Sequence, residues 1–281
     1  MPGAEQHRDQ SEGAAASTSS IPIPTPKRNA FTELLSARNK QRKPTSIGSS
    51  SRDARRRNMA SSGGRDGLEV YLEKPESYPS NVVIYHNADF VAIHDMFPKS
   101  SLHLLLLPRD KTKYRLHPFE AFEDAEFLTK VKAEAQKLRK LAAAELRRKY
   151  GKESAQEQAR QAALNADPPP DELPDGRDWD KEIMCGIHAC PSMNHLHVHV
   201  IAVDRQSEKM KHRKHYNSFA TPFFVPIDDF PLAPDDERLH PTREGYLRWD
   251  LKCWRCGKDF GNRFAELKRH LEEEFEEWKK L

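Results

Sequence analysis

The chain has 281 residues, 37% of them hydrophobic and 32% charged, with a formal net charge of only +3. That length holds one ordinary core plus a small accessory module, and the composition is too polar for the whole chain to be packed. Four cysteines without a leading apolar segment exclude a secreted disulfide scaffold. No apolar run reaches membrane-spanning length, so the expectation is a soluble protein of a reducing compartment with no membrane partner.

Residues 1–62 are rich in Ser, Ala, Pro, Arg and Lys, lack a sustained apolar period, and read as a disordered basic tail. Positive charge concentrates at 27–65, where it is either simply solvated or a flexible tether to a polyanion. One island, Phe31, Leu34 and Leu35, has helical spacing. It is either a short helix that docks on a protein partner or a chance cluster.

A folded domain is expected from 63 to about 230. Leu68–Leu72 reads as a short helix closed by Pro75. Val82–Tyr85 and Phe90–His94 read as strands around a turn at Asn87–Asp89, and Leu102–Leu107 as a third strand. A long helix is predicted over 119–150. Its apolar stripe serves the first half, and the charged part, Lys137–Lys149, is expected to run into solvent. Residues 151–178, with Pro168–Pro170, read as an insertion or mobile loop. Strands are predicted again at Lys181–Ala189 and His195–Val203. Phe219–Ile227 reads as a further strand or extended arm. Residues 231–281 divide into a proline-rich linker, Pro231–Thr242, and a small finger.

Three histidines alternate in the segment Asn194–Ile201. On a strand His195, His197 and His199 share one face, while Leu196, Val198 and Val200 share the other and can enter a core. Packing gives no reason for three imidazoles on one face. They suit either a metal site or phosphate chemistry, in which a neutral imidazole attacks and its neighbours hold protons or oxygens. The surroundings favour phosphate. Only Asp204 follows closely, no cysteine ligand is near, and Gly186–Met193 upstream supplies small residues, a hydroxyl and His188. No metal is therefore expected at these histidines.

The second cluster is metal-like. Cys253 and Cys256 form a C-x-x-C knuckle followed by Gly257, with Phe260 and Leu267 to fill a small core. His270 falls in a predicted helix. Glu274, four residues on, shares its face and completes a structural zinc site of two Cys, one His and one Glu, with Glu273 and His240 as alternatives. So small a finger needs its metal to fold. Trp254 and Arg255 fall at the knuckle tip, in position to meet a DNA groove or phosphate, and the acidic end Glu272–Glu277 is expected to face away from DNA.

The segment His195–Ile201 resembles the signature of the histidine-triad superfamily. Gly186–Met193, Lys214–Phe219, Asp95–Arg109 and the terminal finger narrow the resemblance to the aprataxin family, in pieces from about Gly67 to the C-terminus, and the finger resembles that of its fungal-type members. The resemblance implies an α+β fold: a histidine-triad catalytic domain over 63–230, with an antiparallel sheet backed by helices, plus the zinc finger. It implies a nuclear DNA 5′-adenylate hydrolase that works through a covalent histidine–AMP intermediate and releases AMP. His197 would be the nucleophile, His199 and His195 would polarise phosphate oxygens, and His188 would protonate or stabilise the leaving phosphate. Asp95 would hold the ribose, with Phe97, Lys99, Ser192 and Met193 around the nucleotide. Lys211, His215 and Ser218, with Lys99 and Arg255, would meet nicked or 5′-adenylated DNA; whether the end is a nick, a gap or an RNA–DNA junction stays open. One departure is visible: Gly64 stands where such proteins carry an aromatic wedge, with Met59 the nearest bulky apolar residue.

Two other functions compete. A small-molecule hydrolase of adenosine phosphoramidates or dinucleoside polyphosphates would need neither the finger nor the basic segments. A zinc-finger scaffold with an inert domain would need neither the triad nor His188.

Overall fold

The computed structural model describes residues 64–281. The basic tail 1–62, the Phe31–Leu35 island and Met59 lie outside the described residues.

Six antiparallel strands form one sheet in the order β1-β2-β3-β5-β4-β6: Val83–His86, Phe90–His94, His103–Pro108, Ile183–His188, Val198–Ala202 and Phe224–Pro226 for β1 to β6. The period-two alternation of β-strands sorts their side chains. Leu104 and Leu106 of β3, Ile183, Cys185 and Ile187 of β4, and Val198, Val200 and Ala202 of β5 join the main core. Helix α3, Ala125–Tyr150, covers that face. On the opposite face, Leu105 and Leu107 pack with Val91, Ile93 and the short helix α1, Glu69–Glu73. The same face of β4 and β5 carries His188 and His199. Gly186 pairs with His199 there, and a Cβ on it would lie 2.4 Å from the Val225 carbonyl oxygen, so only glycine lets β6 pair so closely.

The helical stretch is interrupted. Helix α2, Pro118–Ala121, ends before Asp124, whose side chain accepts from the Phe127 N–H (3.0 Å) and starts α3. The second half of α3 does not run into solvent. Leu138, Ala142 and Leu146 continue the apolar stripe at four-residue spacing and are buried, while the charged residues between them face outward or pair.

Residues 151–178 are also more ordered than a loop. They contain helix α4, Ala155–Leu164, capped by Ser154 through the Glu157 N–H. Glu157 then bonds Arg147 (2.8 Å) and the Trp179 indole N–H (3.0 Å). Arg177, in the same segment, is buried between the rings of Trp179 and Trp278, 4.4 and 4.6 Å from their centroids, and pairs with Glu182 (3.0 Å).

Of the strand or arm expected at Phe219–Ile227, the first residues belong to helix α5, Arg213–Ala220, and only the three-residue β6 is strand. After α6, Pro241–Glu244, the finger follows. A two-stranded ribbon, Leu251–Lys252 (β7) and Asp259–Gly261 (β8), leads into α7, Phe264–Lys280. The last turn of α7 does not stand free: Trp278 joins the main core, and its indole N–H donates to Glu182 (2.6 Å). Among the described residues no helix is long and apolar enough to cross a membrane.

Candidate functional site

A cleft of about 680 Å³ opens on the sheet face opposite α3. His197 and His199 reach it from the start of β5, and His188 from the end of β4. Their rings touch: the His188 and His199 centroids are 4.3 Å apart and those of His197 and His199 4.8 Å.

Hydrogen bonds set the tautomers. The Nδ1–H of His197 donates to the His195 carbonyl oxygen (2.7 Å), so the lone pair that remains for chemistry is on Nε2. At His199 the order is relayed. The Lys99 main-chain N–H can only donate, and it meets His103 Nδ1 at 3.2 Å. His103 therefore carries its proton on Nε2, which lies 2.9 Å from His199 Nδ1. That makes Nδ1 of His199 an acceptor and leaves an N–H on its Nε2. Asp95 Oδ2 also approaches His103 Nδ1, at 3.4 Å, but the shorter amide contact and the complete burial of the ring favour the neutral form. His188 hydrogen-bonds the main chain of Ser218. The Nε2 atoms of both His188 and His199 are buried without a partner: the N–H of His199 is relieved by an acceptor oxygen of a ligand, and the lone pair on His188 Nε2, whose Nδ1–H goes to the Ser218 main chain, by a proton that a ligand brings or induces.

Burial holds these imidazoles neutral. Desolvation, reinforced by the neighbouring rings and Lys99, pushes His188 and His199 well below the ordinary histidine value. Desolvation also lowers His197, and it brings His103 to about 4.

The first histidine of the triad departs from expectation. His195 precedes β5 in a bend, where the strand alternation has not begun. Its ring is buried beside Tyr114 (centroids 5.2 Å) rather than on the cleft wall. Its part in the site is the carbonyl that holds His197.

Asp95, Phe97 and Lys99 line one rim of the cleft, and Ser192 and Met193 another part of the wall. One oxygen of Asp95 accepts from the Phe97 N–H (2.6 Å), and Phe97 itself is 59% exposed. His215 and Ser218, on α5, also line the cleft. Desolvation, with His212 and Lys99 nearby, lowers His215 to about 4. Lys211 does not reach the lining; it is exposed just outside, its N–H meeting His215 Nδ1 at 3.2 Å. Gly64 lies at the mouth with a left-handed φ of +66°, and open space surrounds the position a Cβ would take. The cleft lining also holds His103, which sequence reasoning places on one strand face with Ser101 and Leu105 and leaves as structural, and His212 and Lys214, to which it gives no individual role. The last two sit in the basic run 211–215, and His103 lies two residues from Ser101 in a leucine-rich strand that reads as plain core.

In the finger, one donor atom from each of Cys253, Cys256, His270 and Glu274 lies within 4.8 Å of all the others. Cys256 Sγ is 3.1 Å from His270 Nε2, which is 3.2 Å from Glu274 Oε1. Bonds of about 2.0–2.3 Å to a tetrahedral zinc separate donors by about 3.3–3.8 Å, so the cluster fits that ion after a slight relaxation. Glu273 turns its carboxylate outward, and His240 is not in the cluster. Arg255, expected to meet DNA, donates to the other oxygen of Glu274 (2.6 Å), because the helix brings that carboxylate under the knuckle. Trp254 is half-buried against the core and does not project from a tip.

Comparison with known proteins gives a consistent picture. Residues 70–215 match the family described as scavenger mRNA decapping enzyme C-term binding, and residues 220–277 the C2HE / C2H2 / C2HC zinc-binding finger. The chain is 38% identical over 218 residues to an aprataxin-like protein of Schizosaccharomyces pombe, covering 76% of this chain and 82% of that one. It is 37% identical to an aprataxin-like protein of Saccharomyces cerevisiae, covering 75% and 95%. Among solved structures, the aprataxin ortholog Hnt3 in complex with DNA superposes with a TM-score of 0.61 at 38% identity, covering 76% of this chain and 96% of that one. Hnt3 in complex with DNA and guanosine superposes at 0.60.

Proposed function

The chain belongs to the aprataxin family, and from that premise we propose that it removes 5′-adenylate from DNA in break repair, through a covalent histidine–AMP intermediate. The observation that carries the reading is the pair of buried, unpartnered Nε2 atoms on His188 and His199, beside a His197 whose Nδ1 is already engaged.

In the first displacement the Nε2 lone pair of His197 attacks the adenylate phosphorus. The P–O bond to the DNA 5′-phosphate breaks, and that phosphate leaves with the electron pair, taking a proton that His188 Nε2 holds when the charged phosphates of the substrate lie beside it. The Nε2–H of His199 donates to a non-bridging oxygen, where charge grows in the transition state. In the second displacement water attacks the same phosphorus and gives its proton to the now neutral His188, the P–N bond breaks, its electron pair returns to His197, and AMP departs. Asp95 holds the ribose. Phe97, Lys99, Ser192 and Met193 surround the nucleotide. Lys211, Lys214, His215 and Ser218 meet the phosphates of a nicked or adenylated end. Cys253, Cys256, His270 and Glu274 would hold a structural zinc ion that ties the knuckle to α7, away from the displacements. We assign 63–230 to catalysis and 231–281 to the finger, with the tail 1–62 as an electrostatic tether. The substrate puts the protein in the nucleus.

The test compares kcat/KM on a nicked duplex bearing 5′-AMP with kcat/KM on a small adenosine phosphoramidate, at two salt concentrations. The DNA substrate is expected to win by orders of magnitude, with an advantage that shrinks as salt rises. Equal or better cleavage of the small substrate replaces this reading with a general nucleotide hydrolase.

A further inference from the structure

Arg205 occupies an unusual position. Among the described residues it is the non-glycine with a left-handed backbone, at φ 50°, a conformation that a Cβ disfavours. Its side chain is buried, and its hydrogen bonds go to main-chain carbonyls and a thioether. Nη1 donates to Val203, at the exit of β5 (2.7 Å). Nη2 donates to Phe219, in the last turn of α5 (3.0 Å), and meets Met184 Sδ at 3.3 Å. The guanidinium lies 5.6 Å from the Trp254 ring centroid on the finger side.

The end of α5 needs such a partner. The last carbonyls of a helix lack intrahelical donors and attract positive charge, and α5 has no basic residue in its own last turn. That turn is also what the cleft imidazoles rest on. The Phe219 ring lies 4.7 Å from His188, 5.2 Å from His199 and 5.4 Å from His103, centroid to centroid. His188 bonds the main chain of Ser218.

We infer that Arg205 is a positioning residue for the proposed hydrolysis: by tying the Phe219 carbonyl to the exit of β5, it holds the last turn of α5 against His188 and His199. The inference rests on the functional reading for its effect on rate, but the placement of the rings is measurable without any reaction.

The experiment uses the full-length, zinc-loaded protein with R205M and R205K. R205M removes the donors at similar length, and R205K restores charge and a donor. On the nicked 5′-adenylated duplex, R205M is expected to lower kcat about tenfold with KM changed by less than about twofold, since sub-ångström misplacement of catalytic groups acts on the chemical step. R205K is expected to recover part of that loss. In histidine-labelled protein, the ring proton resonances of His188 and His199, which lie in the ring current of Phe219, should move in R205M, while those of His240 stay in place. Folded R205M with unchanged kcat and unchanged His188 and His199 resonances overturns the inference. So does a shift spread equally over all histidines, which marks a general loosening of the fold. If R205M does not fold, R205Q, which removes the charge and cannot bridge both carbonyls, carries both measurements with the same criteria. If the wild type fails to cleave adenylated DNA, the functional reading falls, and the resonances alone decide the role of Arg205.

Discussion

Two histidine-bearing clusters, one in the cleft and one in the finger, treat the imidazole in opposite ways. In the cleft, His188, His197 and His199 are enclosed by sheet and helix, kept neutral by burial, and given their tautomers by main-chain groups. In the finger, His270 stands with two thiols and a carboxylate, of which Cys256 is exposed, and little but a cation can hold them together. The cleft is prepared by folding and waits for a substrate. The finger instead gathers two thiols, an imidazole and a carboxylate, a donor set suited to a zinc ion. Histidine clustering alone therefore says little; what the neighbouring groups do to the lone pair decides its use.

The largest effect that separates the two clusters should come from the cleft. His197→Ala is expected to lower kcat on adenylated nicked duplex by about a thousandfold or more while DNA affinity changes by less than about twofold. Lost binding in a folded variant would move His197 from the chemistry to the grip. Next is the contact that joins the finger helix to the main core. Trp278→Ala, at 1% exposure, should cost about 3–5 kcal/mol in urea unfolding of the zinc-loaded protein. A loss below about 1 kcal/mol would mean that the finger merely leans on the catalytic domain.

Glu274→Ala should weaken zinc binding on the order of 10- to 100-fold, with cleavage of a small AMP ester at saturating zinc within about threefold of wild type. Unchanged zinc affinity in a chelator competition removes Glu274 from the site. The smallest effect is on pH. In the proposed mechanism His197 attacks as the neutral imidazole, and burial lowers its value, so the acid limb of kcat/KM should have its midpoint below about 6.5. The buried histidines also link stability to pH. They take up protons on unfolding at the ordinary value near 6.5, but in the fold only further down, at about 4 for His103. Stability is thus fully present above about 6.5 and declines as pH falls towards 4. A flat melting temperature across that window would show that the rings are not held as described.

These features were unevenly legible in the sequence. The alternation 196/198/200 against 197/199 carried its own face assignment, and the four-residue step from His270 to Glu274 put both on one helix face. The start of β5 was not legible: one bend at Asn194–His195 was enough to take the first histidine off the cleft wall. Ser154 and Glu157 form an S-x-x-E helix start that the triple proline downstream overshadowed. His103 was masked by its leucine neighbours, and only the strand pairing that sets Leu105 beside His199 reveals where it points. Arg255 carried no sign that it would be drawn to a carboxylate nineteen residues away.

The burial of Trp278 between Arg177 and the core bears on how the molecule comes apart. An appended finger would ordinarily melt on its own, ahead of its host. Here its last helix shares one apolar cluster with Val198 and Val200, the strand residues behind the cleft histidines. Heating should therefore give a single calorimetric peak, and amide exchange in β5 and in the last turns of α7 should slow together when zinc is added. Shortening the chain at the proline-rich linker would then leave an open flank on the enzyme, with Trp179 and Arg177 uncovered, and would not release an independent catalytic domain.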